Sequence, residues 1–413
     1  MIRRRTMLLS VPAILTATRS RAVEPVKVGV MFPLTGNSAA SGGEAKAAVE
    51  VAADIVNTGH PELKGLTIGL TPGLPGIGGA RIQPVYVDHR GDPSMAQSLA
   101  LKLITTDRVA ALFGAYHSSC ALTATAVAER YGVPFVVADS VAGNITARGF
   151  KNTFRVTPIA SNFADSYMRF LHDQKQAGRR VEDLAIVNEN TDYGSSVGDA
   201  IAAEAKNQGF PVSIRVPYNA NGADVSAQVL QLKEKNPSVA MFVSYASDAI
   251  LFMRTMKSLD YVPPMIVGDS AGFSDPAFLP AVGGLAQGLV NRSVWSKGPE
   301  GSLSRGVNAI YQARTGNEIG DVSGRSLQAF FVLADALNRA GSTDPARLRA
   351  ALAATAMPRS AMIVGYRGVK FDDSGQNAES ATYLTQLQDK DYVTVWPDDA
   401  AVAKVRWPMA AWR

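Results

Sequence analysis

The stretch that decides the fold runs from residue 82 to residue 138 and reads IQPVYVDHRGDPSMAQSLALKLITTDRVAALFGAYHSSCALTATAVAERYGVPFVVA. Short β-branched runs alternate in it with longer amphipathic runs. This alternation predicts a parallel sheet whose strands are joined by right-handed helical crossovers. Asp92-Pro93 is typical of a helix start, and Gly132 stands where the next helix should stop.

The same alternation extends in both directions along the chain. The predicted strands are Val26–Met31, Ile82–Val87, Val109–Phe113, Phe135–Ala138, Leu184–Val187, Val212–Val216, Val239–Val243, Met265–Val267 and Leu289–Ser293, followed by a β-rich end at Gly365–Phe371, Thr382–Gln388 and Tyr392–Trp396. The predicted helices are Gly43–Val56, Ser94–Thr105, Ser119–Arg130, Asn162–Gln174, Ser196–Asn207, Val225–Glu234, Ala246–Ser258, Ser302–Arg314 and Ser326–Ala340.

This pattern predicts an α/β protein made of two Rossmann-like parallel-sheet lobes. The first four βα units end near Pro158, and four more end near Leu285. Between them the stretch 154–158 is β-prone and stiff, which favours a hinge strand rather than a flexible linker. The remaining chain is expected to cross back and complete both lobes.

The net positive charge of the chain comes from the arginines in its first 22 residues. The 413-residue chain has a formal charge of +5, and residues 1–22 hold five arginines and no acid, so 36 basic and 36 acidic side chains remain after them. A neutral body argues against nucleic acid as a partner. Residues 1–22 have the positive start, short apolar run and small-residue end of a secretory signal peptide cleaved near Ala22, of either the general or the twin-arginine type. No cysteine lies near that point, so we predict a soluble, periplasmic protein without a lipid anchor.

Motifs for catalysis and metal binding are missing or out of context. Gly194-Ser195-Ser196-Val197-Gly198 matches a hydrolase nucleophile motif, but the last histidine, His172, precedes it, whereas that fold places its histidine after the serine. We interpret the motif as the opening of a helix, Asp88–Asp92 as a polar strand-end loop with a helix cap, and Cys120 as a buried helix residue. The Gly- and Pro-rich segment 60–80 is predicted to be an exposed irregular insertion. We therefore predict no catalytic residue, no metal and no cofactor.

Polar loops at the carboxyl ends of the strands are then the candidates for a binding site. The most distinctive segments are Val28–Gly36, Asp88–Pro93, Gly114–Ser119, Tyr131–Phe135, Asn144–Phe150, Phe154–Pro158 and Asp192–Gly194. In this order and spacing, over residues 26 to about 373, they resemble the leucine/isoleucine/valine-binding family of periplasmic solute receptors of ABC importers, the type I periplasmic binding proteins.

The resemblance implies a hinged trap of two lobes joined by three crossings, which closes on a small solute. After the signal peptide 1–22, it places residues 23–157 and about 291–362 in lobe 1. Residues 158–290 and about 363–413 then form lobe 2.

The resemblance also assigns nine ligand-binding residues: Ser118, Ser119, His117, Asp139, Ser140, Val141, Tyr193, Tyr245 and Asp269. The serine pair starts a helix, where backbone N–H groups and the helix dipole favour the carboxylate of a ligand. Residues 139–141 form a second ligand loop, and the two tyrosines would cover the ligand from the opposite lobe. Asp269, or Ser270 if the alignment shifts by one, would accept a ligand ammonium group.

Two departures from the family bear on specificity. Val141 stands where the amino-acid receptors use a threonine hydroxyl, and a buried carboxylate short of one donor costs on the order of 1–3 kcal/mol. His117 stands where that family has a disulfide cysteine, so it is either a replacement donor or a structural residue at the helix entry. Tyr116, Tyr193 and Tyr245 would suit an aromatic ring as well as an aliphatic side chain.

The sequence thus predicts a non-enzymatic, monomeric receptor for a small carboxylate-bearing solute. The solute would be a branched-chain or other amino acid, delivered to the membrane permease of an ABC importer. The alternatives are a receptor for an aromatic carboxylate or a short amide, and a ligand sensor for a signalling partner.

Overall fold

The computed structural model describes residues 23–409, so the predicted signal peptide lies outside the described residues. The strands are β1 Val26–Phe32, β2 Ile82–Asp88, β3 Ala111–Gly114, β4 Phe135–Val137, β5 Thr153–Arg155, β6 Leu184–Glu189, β7 Val212–Tyr218, β8 Val239–Val243, β9 Ile266–Gly268, β10 Val290–Ser293, β11 Ala356–Pro358, β12 Gly368–Lys370, β13 Tyr383–Gln388 and β14 Asp391–Trp396. The α-helices are α1 Ala39–Thr58, α2 Pro93–Thr105, α3 Ser118–Tyr131, α4 Ala160–Gln176, α5 Asp192–Asn207, α6 Ser226–Lys235, α7 Ala246–Ser258, α8 Ala271–Ser274, α9 Phe278–Val282, α10 Leu303–Thr315, α11 Asp321–Ala340 and α12 Pro345–Ala353. Every predicted strand and helix is present, and the α/β class is confirmed.

The first sheet is fully parallel, with the strand order β2-β1-β3-β4-β5. The inner strand β1 pairs with β2 on one side and β3 on the other, and it is buried except at Lys27. The predicted helix signals hold here: the Asp92 carboxylate accepts from Met95 N at 2.7 Å, and Gly132 ends α3 with a φ of 69°. The strand order reverses at β1, which is where open α/β sheets bind ligands.

The second sheet has the order β14-β13-β10-β9-β8-β6-β7. Strands β10 to β7 are parallel, whereas β13 and β14 are antiparallel and extend the sheet beyond β10. The order reverses at β6, as it does at β1 in the first sheet. Each sheet therefore presents one switch point at the carboxyl ends of its strands, which confirms the predicted pair of Rossmann-like lobes.

The chain passes between the two sheets three times, after β5, after β10 and between β12 and β13. Between the second and third passages, α11 packs against α1 of the first lobe. We predicted a boundary near residue 362, but the third passage comes later in the chain. The reason is that the backbone of Arg155 at the end of β5 hydrogen-bonds to Gly375 and Asn377, so these residues stay with the first sheet.

The Gly- and Pro-rich segment 60–80 is irregular, as predicted, but its leucine and isoleucine side chains are buried or half-buried rather than exposed. Leu66 and Leu74 are fully buried. Gly76 donates its N–H to the Asn338 side chain of α11 at 2.8 Å, and a Cβ at Gly76 would lie only 2.0 Å from the Asn338 carbonyl oxygen. The glycines thus allow the segment to lie directly on α11.

Two C-terminal tryptophans, Trp396 and Trp407, pack on the second lobe. Trp396 donates its indole N–H to Asp173 of α4 at 2.8 Å, and Trp407 lies 6.5 Å from Phe170 of the same helix. Among residues 23–409, no helix is both long and apolar enough to span a membrane.

Candidate functional site

Loops from the carboxyl ends of the two sheets meet across a cleft. Tyr116 and His117, which follow β3, lie 5.9 and 4.8 Å from the ring of Tyr245, which follows β8. At a second point Ser41 of α1 donates to the Asp275 carboxylate of the opposite lobe at 2.5 Å. The structure therefore brings together the loops in which the sequence placed the ligand site.

The wall on the first lobe is built around the start of α3. Ser118 is 1% exposed, and its hydroxyl oxygen accepts from Ala142 N at 3.2 Å, so its own hydrogen is left to donate. Ser140 donates to the Tyr116 carbonyl at 3.1 Å, which joins the loop after β4 to the loop after β3. The first N–H groups of a helix have no partner within the helix, and this wall can accept an anion. Val141 is buried and has no polar group to contribute.

An aromatic cluster, formed by Tyr116, His117, Tyr193 and Tyr245, spans the cleft. The ring of Tyr193 lies 4.9 Å from that of Tyr245. Burial raises the pKa of both tyrosines well above the ordinary value, so both remain neutral phenols. Burial, aided by the neighbouring His89, lowers the pKa of His117 to about 3, so this imidazole is also neutral. The cluster offers flat apolar surfaces and neutral hydrogen-bonding groups.

Asp269 is already bonded to protein donors at both carboxylate oxygens. Arg292 donates its Nε to Oδ1 at 2.7 Å and its Nη2 to Oδ2 at 3.1 Å. Tyr167 and Tyr193 add hydrogen bonds of 2.5 and 2.8 Å. The alternative residue, Ser270, donates to Asp321 instead. A ligand ammonium at Asp269 would have to compete with these donors, and its role there stays a prediction.

A buried charge network behind the cleft was missed from the sequence. Asp321, the first residue of α11, accepts from Val294 N of the second lobe at 2.7 Å and pairs with Arg325 of its own helix at 2.8 Å. Arg325 in turn lies 3.5 Å from Oδ1 of Asp139 in the second ligand loop. Arg292 completes the network, with its guanidinium 3.7 Å from the ring centre of Phe163. An arginine within the buried strand β10 was the one available signal.

Asp139 accepts the fewest hydrogen bonds among the acids of this network. Ser326 donates to its Oδ2 at 3.0 Å, but Oδ1 is buried without a hydrogen-bond partner among the described residues. Burial raises the pKa of Asp139 to about 6, although Arg325 opposes the shift. Asp139, Asp269 and Asp321 carry three negative charges against two on the arginines. A cationic or donor group of a solute would balance that difference.

The hydrolase-like motif at residues 194–198 lies in a helix, and Asp88–Asp92 forms a polar loop at a strand end, as predicted. Ser195 and Ser196 lie inside α5, and the Ser196 hydroxyl accepts from Gly143 N at 3.1 Å. Asp88 accepts from Leu34 N at 2.9 Å, so it closes a polar loop rather than standing free. Cys120 is fully buried in the first turn of α3.

A cavity of about 1000 Å³ lies away from these residues along β10, β13 and the segment 295–305. None of the nine predicted ligand residues lines it. Its cations are engaged, since Lys297 pairs with Glu318 and Arg305 with Glu300 at 2.8 Å. This cavity is therefore separate from the predicted ligand residues at the start of α3.

Comparison with known proteins finds relatives that match almost the whole chain. The sequence profile of a family described as periplasmic binding proteins matches residues 25–391. Leu/Ile/Val-binding protein homolog 7 of Brucella abortus (strain 2308) is 31% identical over 410 residues, which cover 97% of this chain and 98% of the relative. Homolog 8 of the same strain is 30% identical, with 94% of each chain covered.

Solved structures share the fold. A leucine-binding protein, LivK, of Thermotoga maritima has a TM-score of 0.78 at 21% identity, covering 91% of this chain and 99% of its own. LivJ of Streptococcus pneumoniae, in complex with isoleucine, has a TM-score of 0.75 at 19% identity and covers 93% and 100%. A solute-binding protein of an ABC transporter from Rhodopseudomonas palustris BisB5, in complex with 3,4-dihydroxybenzoic acid, has a TM-score of 0.74 at 19% identity and covers 91% and 98%.

Proposed function

The chain belongs to the periplasmic binding protein family, and on that premise we propose that it is the solute receptor of an ABC importer. The solute is a small carboxylate-bearing molecule, a branched-chain or other amino acid. The observation that carries the proposal is the meeting of the α3 start, with Ser118, and the opposite tyrosines Tyr193 and Tyr245 across the cleft. The names of the Brucella relatives and the isoleucine bound to LivJ support this class of solute.

The solute carboxylate is held at the start of α3. Ser118 supplies a hydroxyl, the first N–H groups of the helix supply further donors, and Ser119 lies beside them. His117 borders the same position and is the candidate to replace the donor that Val141 lacks. Ser140 supports this wall through its bond to the Tyr116 carbonyl.

The other end of the solute faces the tyrosines and the acids. Tyr193 and Tyr245 close over it from the second lobe. Asp269 is the acid that the family pattern assigns to the ammonium group, and Asp139 has a buried oxygen without a hydrogen-bond partner among the described residues. An aromatic carboxylate is the second candidate, because four rings line the cleft and a structural neighbour binds 3,4-dihydroxybenzoic acid.

The protein acts without catalysis, metal-dependent chemistry or cofactor in this role. After export and removal of residues 1–22 it works as a monomer in the periplasm, where it delivers the solute to a membrane permease. The neutral body leaves no attraction for nucleic acid. A short amide as solute, or a sensor function with a signalling partner, are the remaining alternatives.

A thermal-shift panel tests the proposal. A ligand that binds only the folded protein stabilises it by about 2.7 kcal/mol at a hundredfold excess over Kd. Branched-chain amino acids, phenylalanine, benzoates and short amides are compared on the same preparation. We expect at least one amino acid to raise the melting temperature, and the absence of any shift across the panel would refute a small-carboxylate solute.

A further inference from the structure

Three metal-ligand side chains lie together beneath the α3 start: His89 at the end of β2, His117 before α3, and Cys120 in its first turn. One ring nitrogen of each histidine and the sulfur of the cysteine lie within 4.8 Å of one another. His117 and Cys120 are three residues apart at the helix start, a spacing that puts both on one face. We propose that these three side chains bind a zinc ion.

The hydrogen bonds of His89 leave it in the tautomer that a metal needs. Its Nε2 lies 2.8 Å from the Ala115 carbonyl oxygen, so it carries the proton, and Nδ1 keeps its lone pair. Metal-bound histidines almost always donate their second ring N–H to such a carbonyl or carboxylate. Gly91 donates its N–H to Nδ1 at 3.0 Å, and because Gly91 is partly exposed, water can take over that N–H when a metal displaces it.

His117 supplies the observation that points to a missing ligand. Its Nε2 lies 3.3 Å from the Ser38 hydroxyl, whereas Nδ1 is buried and has no hydrogen-bond partner among residues 23–409. A buried polar atom left unsatisfied is destabilising unless something binds to it.

Cys120 and Gly91 complete the site. Cys120 is the single cysteine of the chain, is fully buried and has no disulfide partner among the described residues. A Cβ at Gly91 would lie 3.3 Å from two ring atoms of His117, so the lack of a side chain there leaves room between the rings. Zinc bonds of about 2.0–2.3 Å place tetrahedral ligands about 3.5 Å apart, so the donor atoms must approach one another by about 1 Å.

Two imidazoles and one thiolate select a thiophilic cation. Zinc takes this ligand set readily, with water in the fourth position, whereas Mg²⁺ and Ca²⁺ prefer oxygen ligands. The bound ion would clip the loop after β2 to the start of α3, directly beneath the wall formed by Ser118. His117 is also the candidate solute donor, whereas His89 and Cys120 are not solute ligands, so substitutions of these two residues test the metal site separately from the proposed transport function.

Cobalt is the probe, because a cobalt–thiolate bond gives a charge-transfer absorption in the near ultraviolet, and Cys120 is the only thiol that can give it. The purified protein is treated with chelator and titrated with Co²⁺, and Zn²⁺ is then added. We expect one equivalent of Co²⁺ to produce the band and Zn²⁺ to remove it. Zinc should also raise the melting temperature of the solute-free protein.

Variants decide which side chains bind the metal. Cys120→Ala should lose the band, and His89→Gln should weaken Co²⁺ binding at least tenfold. His172→Gln is the control, since this exposed histidine lies on α4 and should leave binding unchanged. If Cys120→Ala fails to fold, the Co²⁺ band of the wild type and its weakening in His89→Gln are enough to test whether the site binds metal. No band in the wild type, or a band that His89→Gln leaves intact, would overturn the proposal.

Discussion

Replacing Asp269 with asparagine tests whether this acid is a structural counterion or a solute ligand. Both of its oxygens accept from Arg292, and each of the two side chains is 1% exposed. Asparagine keeps the size of the side chain and removes its charge. Within residues 23–409, Arg292 would then keep only Asp321 as an ionic partner, with 3.9 Å between the nearest atoms. Removing one partner of a buried ion pair costs about 3–5 kcal/mol, because the other charge stays buried without compensation.

The measurement is urea unfolding of the solute-free protein. We expect Asp269→Asn to lower the free energy of unfolding by about 3–5 kcal/mol, seen as a lower midpoint at an unchanged slope. Glu50→Gln is the control, because it breaks an exposed pair with Lys46 that contributes less than about 1 kcal/mol. Adding Arg292→Met to Asp269→Asn should recover part of the loss, because the Arg292 charge is then no longer buried without its main partner, while Asp321 keeps its pair with Arg325.

The structural role would be refuted if Asp269→Asn unfolded at the wild-type urea concentration. A loss of affinity confined to ammonium-bearing solutes, at full stability, would instead assign Asp269 to the ligand. Without solute, a structural counterion predicts that Asp269→Asn is less stable than the wild type, whereas a solute ligand predicts equal stability.

Three further substitutions test the site and the fold. Ser118→Ala should weaken solute binding by about 1.5–3 kcal/mol, the value of a hydrogen bond to a charged group, and calorimetry showing unchanged affinity would place the carboxylate elsewhere. Burial raises the pKa of Glu44 from 4.5 to about 7, so its contribution to stability is present below pH 4.5 and lost as the pH rises through 7. Glu44→Gln should flatten that part of the pH profile of stability, and an unchanged profile would contradict the assignment. Gly76→Ala should destabilise the protein by about 1–3 kcal/mol, because the added Cβ would collide with Asn338. The control is Gly43→Ala, which adds a methyl group in open space on α1 and should stabilise the protein by about 0.5–1 kcal/mol. Equal effects of the two substitutions in thermal melts would refute the contact between Gly76 and Asn338.

The strands and helices were predictable because their signals are local. β1 is an apolar run with buried neighbours on both sides, and α2 carries its own cap in Asp92. The positions of the ligand loops followed from the topology, since parallel strands deliver their carboxyl ends to one edge. Local sequence patterns were therefore sufficient to predict the strands and helices, and the topology that they imply placed the ligand loops.

The charge network could not be predicted in this way, because its partners are distant in sequence. Arg325 and Asp139 are 186 residues apart, and Ser270 and Asp321 are 51 apart. A sequence shows that Asp269 is an acid near a strand end, but only the folded chain shows that Arg292 and two tyrosines already occupy it. The burial of the segment 60–80 was missed for the same reason, since its partner α11 lies far along the chain.

Two features of the cleft together narrow the solute. The acids of the network outnumber its arginines by one, and Asp139 has a carboxylate oxygen without a hydrogen-bond partner among the described residues, so a solute with a cationic group is favoured over a plain carboxylate. The aromatic cluster favours a flat ring. Both are satisfied by an aromatic amino acid, which we expect to bind more tightly than either leucine or benzoate in calorimetric titrations. Asp139→Asn should reduce the preference for phenylalanine over its deaminated analogue, and a preference that persists at full strength would move the ammonium site away from Asp139.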